Sequence, residues 1–442
     1  MSKEIIARRM LLGMGAGVGA MALAARRAEA DVPFSSFAFP ATGSPTARTM
    51  PDRLAEIKNV KDFGARGNGS TDDTAAIQAA VNWTGGANRG TVHFPLGTYR
   101  ITAPITFETN PINIRFLGEP GATITGSFAD ALLKRSDDNP TGGVHSVENL
   151  TLTNYHANGK ALMFHKSIPA KVVNCHINAW RGIETWDSQS ITIDSCKLLC
   201  PAQAEAGTSI AIDAGNATTV LNCDITHYGT GIRHHNLGLT VLGGRYEVNG
   251  TAILLGKDMN GDVYQSTGFL IAGLSMESND HAIYINSGSA GQISGCAITS
   301  NFNGNHSGIY MATAEQISVS GCVVTNNNDF TDAAIYMGDT KRISFDAVNI
   351  SVAGGAAWRL PTDGRLASCS FRATDPVVEG SVTWAQINDA GGEGTNAPVG
   401  TILRVSNSNT STIGAKITSS GAHNVMALKI HGKKWTVLGP GT

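Results

Sequence analysis

Charged residues are scarce in this sequence, at 15% of its 442 residues, and the formal net charge is only -2. No block of lysine and arginine follows the first thirty residues. Proteins that bind nucleic acid or anionic membranes rely on clustered positive charge. We therefore predict no nucleic-acid partner and no attraction to a charged membrane surface.

Metal-binding and redox motifs are also missing. The seven cysteines include no C-x-x-C pair, which excludes a zinc ribbon and a thioredoxin-like site. No D-x-D-x-D run supplies calcium ligands in a loop. The motifs therefore predict no metal site and no cofactor.

The apolar run near the N-terminus is too short to span a membrane comfortably. This run, LLGMGAGVGAMALAA, has about 15 residues, whereas a spanning helix needs roughly 20. It follows Arg8 and Arg9 and precedes a small-residue cleavage pattern at 28–30, so the segment resembles a twin-arginine signal peptide. The resemblance implies export to the periplasm or the cell exterior and no membrane partner once the signal is cleaved. An uncleaved anchor is the alternative.

A repeat dominates the rest of the chain, which is rich in glycine, at 51 residues. One apolar column contains Cys175, Cys196, Cys223, Cys296, Cys322 and Cys369, with Gly244, Leu274 and Val348 at the intervening positions. Eight steps cover this column, so the period is about 24 residues. A second column, GIETW, SIAID, GIRHH, AILLG, AIYIN, GIYMA and AIYMG, keeps the same step. Such a short period predicts an all-β parallel β-helix of about ten or more coils, with the cysteines as buried free thiols.

The segment NVKDFGARGNGSTDDTAAIQAAV precedes the coils and predicts a strand, a glycine-rich loop and a helix. Thr71 is the expected N-cap, and Asp72 and Asp73 would favour the positive end of the helix. Two carboxylates there would repel a phosphate, which argues against the alternative of a dinucleotide-binding loop. We expect the helix to cap the open end of the coil stack.

The stretch from Asn59 to Ile101 resembles the opening of the pectate-lyase-like superfamily, which includes rhamnogalacturonases and epimerases. The residues just before it are similar to the linker that precedes the β-helix in phage tailspike proteins. The resemblance implies a right-handed β-helix, and it covers only about 60 residues closely. The predicted organisation is a signal peptide at 1–30, a linker at 31–57, the β-helix with its N-terminal cap at 58–375, and a small C-terminal β cap or β module at 376–442.

In that superfamily the outer face of the first sheet forms the polysaccharide groove, and the second column corresponds to that sheet. Alternation predicts one outward row of Glu184, Ala211, Arg233, Leu254, Tyr284, Tyr310 and Tyr336. A second row would hold Trp186, Asp213, His235, Gly256, Asn286, Ala312 and Gly338. Trp186 and the three tyrosines are therefore candidate substrate-binding residues. The alternative for the tyrosines is that stacked like side chains only stabilise the sheet.

Four polar residues form the candidate catalytic group. Glu184 and Asp213 would be acid and base on a glycosidic bond. Arg233 would bind a uronate carboxylate, and His235 is an alternative base. The competing interpretation is ordinary solvated charge on a sheet face.

The motif series of polygalacturonases, mannuronan epimerases and pectate lyases are absent, so the sequence predicts no activity as specific as theirs. Some lyase relatives use calcium, so calcium bound by groove or loop carboxylates stays open. We predict an exported protein acting on an acidic or complex polysaccharide by lyase or hydrolase chemistry. The alternative is a non-catalytic polysaccharide-binding protein derived from a tailspike, compatible with a homotrimer.

Overall fold

A computed structural model describes most of the chain between residues 57 and 352. The described ranges are 38–40, 42–49, 52–53, 57–86, 89–107, 113–136, 144–167, 169–185, 187–201, 208–258, 261–300, 306–326, 333–352, 358–359, 366–367, 370–372, 382–383, 402–408, 423–431 and 434–440. The chain divides into two compact units, Met1–Ile57 and Lys58–Thr442. The first contains an antiparallel pair, Ala38–Pro40 and Ala47–Thr49.

Three parallel ladders make up the coils, and we name them sheets A, B and C in the order in which each coil passes through them. Sheet A contains Ile105–Thr106, Ala131–Ser136, Lys160–His165, Arg181–Glu184, Ile210–Ala214, Thr230–His234, Thr251–Leu255, His281–Ile285, the first parts of Ser307–Ser320 and Ala333–Lys341, and Trp358–Arg359. Sheet B contains Arg89–Phe94, Asn113–Gly118, His145–Glu148, Ala170–Val173, Ile191–Asp194, the first parts of Thr218–Thr226 and Leu239–Glu247, Leu270–Ala272, the last parts of Gly288–Ser294 and Ser307–Ser320, Ser344–Asp346 and Ser370–Arg372.

Sheet C contains Asn68–Asp72, Thr98–Arg100, Thr123–Gly126, Thr151–Asn154, His176–Ala179, Lys197–Leu199, the last parts of Thr218–Thr226 and Leu239–Glu247, Ser275–Glu277, Ala297–Ser300, Val323–Asn326 and Asn349–Val352. Short strands at Asn236–Leu237, Ser266–Thr267 and Leu366–Ala367 lie between sheets A and B. A strand at Ile57–Asn59 and a 3-10 helix at Val60–Phe63 precede the coils. The prediction of an all-β parallel β-helix is confirmed.

Near the C-terminus, four strands form a separate sheet: Val382–Thr383, Ile402–Ser408, His423–His431 and Lys434–Pro440. The last three pair antiparallel. The run GAKITSS in the same region also has the composition of a strand, but it lies outside the described residues.

The interior of the stack is built from isoleucine rungs. Residues Ile183, Ile212, Ile232, Ile253, Ile283, Ile309 and Ile335 pair in register along sheet A. Each is at most 1% exposed. Burying one such side chain contributes about 1.5–3 kcal/mol, so neighbouring coils stabilise each other.

The cysteine column runs up the interior as expected. Lys197 N–H donates to the Cys175 carbonyl and Asp224 N–H to the Cys196 carbonyl, so successive cysteines lie on neighbouring coils. The five described cysteines of the column are buried free thiols, as is Cys200, which lies outside the column, while Cys369 lies outside the described residues. Asn174, before the first of them, has a φ of 51°, the left-handed conformation that asparagine tolerates well. The packing prediction is confirmed for these residues.

The helix lies at Thr74–Gly86, and we call it α1. Its Ile77, Ala80 and Val81 are buried in the core. The prediction that Thr71 is its N-cap was wrong, because Thr71 belongs to the strand Asn68–Asp72.

Asp73 directly precedes α1 instead. Its carboxylate accepts from the Arg66 and Gly67 amides at 2.7 and 3.0 Å, which fixes the glycine-rich loop against the helix.

Candidate functional site

The outward row of sheet A brings the predicted charged residues together. Its members, paired in register from coil to coil, are Met163, Glu184, Asp213, Arg233, Leu254, Tyr284, Tyr310 and Tyr336. The predicted register was wrong at one position, because Ile183 pairs with Ile212 rather than with Ile210. Asp213 therefore takes the place expected for Ala211 and lies directly between Glu184 and Arg233.

Glu184 is 2% exposed and is bound by two cations. The Lys160 ammonium lies 3.0 Å from its Oε1 and 2.9 Å from its Oε2, and the Arg181 guanidinium lies 3.6 Å from Oε2. The sequence pattern did not single out either cation. Arg181 directly precedes the Gly-Ile dipeptide of the repeated motif GIETW. Lys160 lies on the preceding coil, in the sequence KALMF, which lacks that dipeptide.

Asp213 and Arg233 form a buried bidentate ion pair. Arg233 Nε donates to Asp213 Oδ1 at 3.0 Å, and Arg233 Nη2 donates to Asp213 Oδ2 at 2.6 Å. The side chain of Arg233 is only 10% exposed and that of Asp213 only 8%. A guanidinium has five N–H donors, so this pairing uses two and leaves three for an anionic ligand. Arg233 is therefore held in one orientation with donors to spare.

His235 lies beside this ion pair and is 9% exposed. Burial lowers its pKa below the usual value of 6.5, and the Asp213 and Asp258 carboxylates act in the opposite direction. The imidazole is therefore neutral at pH 7 and able to accept a proton. Its Nδ1 is buried and has no hydrogen-bond partner among the described residues, which leaves Nε2 as the nitrogen that a ligand could reach.

His234, the preceding residue, is fully buried and has a different role. Its Nδ1 lies 2.6 Å from Ser266 Oγ, on the neighbouring coil. Burial, reinforced by His235, lowers its pKa to about 4. We infer that it supports the strand and does not contact a ligand.

An exposed aromatic ring lies at the edge of the site. Tyr264 is 47% exposed, and its ring centroid lies 6.0 Å from that of His235. Val263, which directly precedes Tyr264, is 63% exposed. Leu237, which pairs with Thr267 on the next coil, is 62% exposed. Sequence reasoning missed this ring because Tyr264 lies between strands, where the repeat gives no signal.

The three tyrosines point outward, as predicted, and stack on one another. The ring centroids of Tyr284 and Tyr310 are 4.6 Å apart at an interplanar angle of 7°, and those of Tyr310 and Tyr336 are 4.2 Å apart at 3°. Both faces of the Tyr310 ring are therefore covered by its neighbours. The strip presents ring edges and hydroxyls to a ligand rather than one flat aromatic surface.

Two further residues lie just after Glu184 in the sequence. Trp186, a predicted substrate-binding residue, lies outside the described residues. Asp187 is exposed and has a φ of 51°, and its carboxylate favours the charged form of His235. Across the described part of the chain, no three His, Cys, Asp or Glu side chains come together as a metal site. None of the helices described there is long and apolar enough to cross a membrane.

The fold and the charged outward row define a parallel β-helix protein with a candidate site on the outer face of sheet A. The chain belongs to the Rhamnogalacturonase A/epimerase, pectate lyase-like family, whose model matches residues 57–277, half of the chain. This confirms the resemblance seen at Asn59–Ile101.

Curated relatives match over a short segment. Mannuronan C5-epimerase AlgE3 of Azotobacter vinelandii is 59% identical over 44 residues, which is 10% of this chain and 2% of that protein. Alginate lyase 7 of the same organism is 59% identical over 44 residues, 10% of this chain and 5% of that protein. The chain thus spans only a few per cent of the length of these relatives.

Solved structures match over most of the chain. The Dettilon tailspike protein has a TM-score of 0.63 at 12% identity, covering 88% of this chain and 78% of that one. The tailspike protein of E. coli bacteriophage HK620 has a TM-score of 0.56 at 12% identity, covering 78% and 72%. At such identities these likenesses establish the β-helix fold alone.

Proposed function

We propose that this chain is an exported carbohydrate-active protein that acts on an acidic polysaccharide at the outer face of sheet A, by lyase chemistry. The observation that carries the proposal is a neutral, partly accessible His235 beside Arg233, whose orientation is fixed by Asp213. A base next to an anion-binding cation is the arrangement that proton abstraction from a uronate requires.

The relatives agree with this substrate class. The short matches are to proteins named as mannuronan epimerases and an alginate lyase. The HK620 tailspike was solved in complex with a hexasaccharide. Family membership and these names support a polysaccharide as the partner.

In the proposed reaction, the free N–H groups of Arg233 bind the carboxylate of a uronate residue. Nε2 of His235 takes the proton from C5, the electron pair forms a C4=C5 double bond, and the C4–O glycosidic bond breaks. The departing oxygen takes a proton from water. The Asp213 and Asp258 carboxylates stabilise the imidazolium that forms, since both favour the charged form of His235.

Hydrolysis with Glu184 and Asp213 as acid and base is less well supported. A general acid must carry a proton to give to the leaving group. Both carboxylates are instead engaged in ion pairs, Glu184 with Lys160 and Asp213 with Arg233, so neither points as a separate acid at a leaving group. We therefore propose that they position the cations around the substrate.

The test is incubation of the purified protein with pectins, alginates and bacterial exopolysaccharides. Ultraviolet absorbance reports the unsaturated product of a lyase, and reducing ends report either kind of cleavage. His235→Gln should lower the rate at least about 100-fold, as expected for loss of a general base. His93→Gln on sheet B is the matched control and should leave the rate unchanged. Reducing ends without ultraviolet absorbance would contradict the elimination and favour hydrolysis.

A non-catalytic polysaccharide-binding protein is the second candidate. The ion pairs of Glu184 and Asp213 and the stacked tyrosines favour it, because both give the outer face of sheet A fixed side chains that could bind a sugar chain without cleaving it. Binding without any product on the whole panel would support it. Changing Tyr284, Tyr310 and Tyr336 together to Ser should then abolish binding, and light scattering tests the predicted homotrimer.

Export by the twin-arginine route stays part of the proposal, resting on the pattern in residues 1–30. Mass spectrometry of protein from the periplasm or medium should find a mature N-terminus near Asp31. Cell-associated protein that retains the first thirty residues would instead indicate an anchor.

A further inference from the structure

A second cleft opens on sheet C, away from the candidate site. It has a volume of about 590 Å³, within the range of small-molecule sites, and lies at the N-terminal coils. The strands Thr98–Arg100, Thr123–Gly126 and Thr151–Asn154 form its floor. Its lining includes Thr98, Arg100, Thr102, Thr125, Thr153 and Tyr155.

The floor of the cleft is rich in hydroxyl groups. Arg100, Thr125 and Thr153 pair in register across three coils, and Thr98 pairs with Thr123. Within the described part of the chain, the hydroxyls of Thr98 and Thr125 make no hydrogen bond to protein. A hydroxyl both donates and accepts, so this floor complements a ligand that carries many hydroxyls.

Tyr155 forms one wall of the cleft and is 69% exposed. Its amide donates to the Gly126 carbonyl at 3.0 Å. The preceding residue, Asn154, is fully buried, and its amide group donates to the Phe128, Asp130 and Lys160 carbonyls. The backbone that carries this ring is therefore fixed before a ligand arrives. An exposed aromatic ring on a rigid turn is suited to contact the apolar face of a sugar.

The charges in the cleft nearly cancel. Arg100 is the cation of the lining, and its Nε donates to the Ser70 carbonyl at 3.0 Å. The Asp72 carboxylate lies beside it and accepts from Thr102 Oγ1 at 2.7 Å. This balance differs from the cation-rich surroundings of Glu184, and it favours a neutral ligand over a polyuronate.

We propose that this cleft is a carbohydrate-binding site for a neutral oligosaccharide segment, separate from the site on sheet A. Tyr155 packs against one sugar ring, and the threonine hydroxyls bind its hydroxyl groups. The proposal goes beyond the chemistry assigned to sheet A and does not depend on it.

Saturation-transfer NMR with cellotriose, mannotriose and maltotriose tests the site, with trigalacturonate as the acidic comparison. At least one neutral trisaccharide should bind the full chain with a Kd of a few millimolar or tighter. Tyr155→Ala should weaken that binding roughly tenfold, and the isosteric Thr125→Val roughly fivefold. Both positions allow these changes without disturbing the core, because Tyr155 is exposed and valine matches threonine in shape.

Two controls separate this site from the one on sheet A. Trp83→Ala removes an exposed aromatic ring elsewhere, and His235→Gln removes the proposed base, so neither should change neutral trisaccharide binding. Binding that survives both Tyr155→Ala and Thr125→Val would overturn the proposal. So would a signal from trigalacturonate alone, or the absence of a signal from all three neutral trisaccharides.

Discussion

Acid should destabilise the strand that carries Arg233 and His235, because His234 beside them is buried in its neutral form. Its pKa is about 4 in the folded chain, against 6.5 for an unperturbed histidine. Below pH 6.5 the unfolded chain therefore binds a proton that the folded chain does not. Stability is lost as the pH falls from 6.5 to about 4 and then levels off. At about 1.4 kcal/mol per pKa unit, the loss is about 3 kcal/mol for this one residue.

The variant that isolates this effect is His234→Asn, which does not titrate and keeps a polar group near Ser266. Urea unfolding followed by circular dichroism should show that the variant loses about 3 kcal/mol less than the wild type between pH 6.5 and pH 4. The same pH dependence in the wild type and in His234→Asn would refute the buried neutral histidine.

Three further predictions follow from particular contacts. Arg233→Met should lower the free energy of unfolding by about 3–5 kcal/mol, because it leaves the Asp213 carboxylate buried without its cation, and adding Asp213→Asn should recover most of the loss. Urea unfolding measures both, and equal losses in the single and double variants would argue against the buried pair. The six described thiols should resist a thiol reagent such as DTNB in the native protein and all react after unfolding without reductant; fewer thiols would reveal disulfides. Gly67→Ala should cost roughly 1–3 kcal/mol, because a Cβ at this φ of +62° would lie 2.8 Å from a Tyr99 ring carbon, and an unchanged thermal midpoint would contradict the strain.

The sequence predicted the fold because the stack repeats the same packing in every coil. Burial requires a small apolar residue after the left-handed turns and an isoleucine at the same place in sheet A. The two columns are therefore visible in the sequence itself. The register was harder to predict. SIAID contains isoleucines at 210 and 212, and a shift of two residues leaves every side chain on the same face. Alternation therefore could not show that Ile212 pairs with Ile183, and it put Asp213 in the wrong row.

The surroundings of the site were less predictable than its centre. Lys160 contacts Glu184 from the preceding coil, in a segment without the G-I pattern, so only the three-dimensional stacking reveals the contact. Tyr264 lies between strands, where the chain length varies from coil to coil. The cleft at Tyr155 also depends on a turn, held by Asn154 through three backbone carbonyls. Features that repeat follow from periodicity, whereas these depend on the particular loops between strands.

The spacing of the coils also explains why the outward row of sheet A has two chemically different halves. Neighbouring strands are about 4.8 Å apart, so each side chain faces the side chain on the next coil. Opposite charges attract at this spacing, and Asp213 accordingly adjoins Arg233. Flat rings stack at nearly the same spacing, as the 4.2 and 4.6 Å centroid distances of the tyrosines show. Leu254 separates the two halves, so a sugar chain lying along the row would meet fixed cations at one end and ring edges at the other. In the reaction proposed above, the uronate residue whose carboxylate binds Arg233 would therefore lie at the charged end of the row, and the sugars beyond Leu254 would lie against the tyrosines.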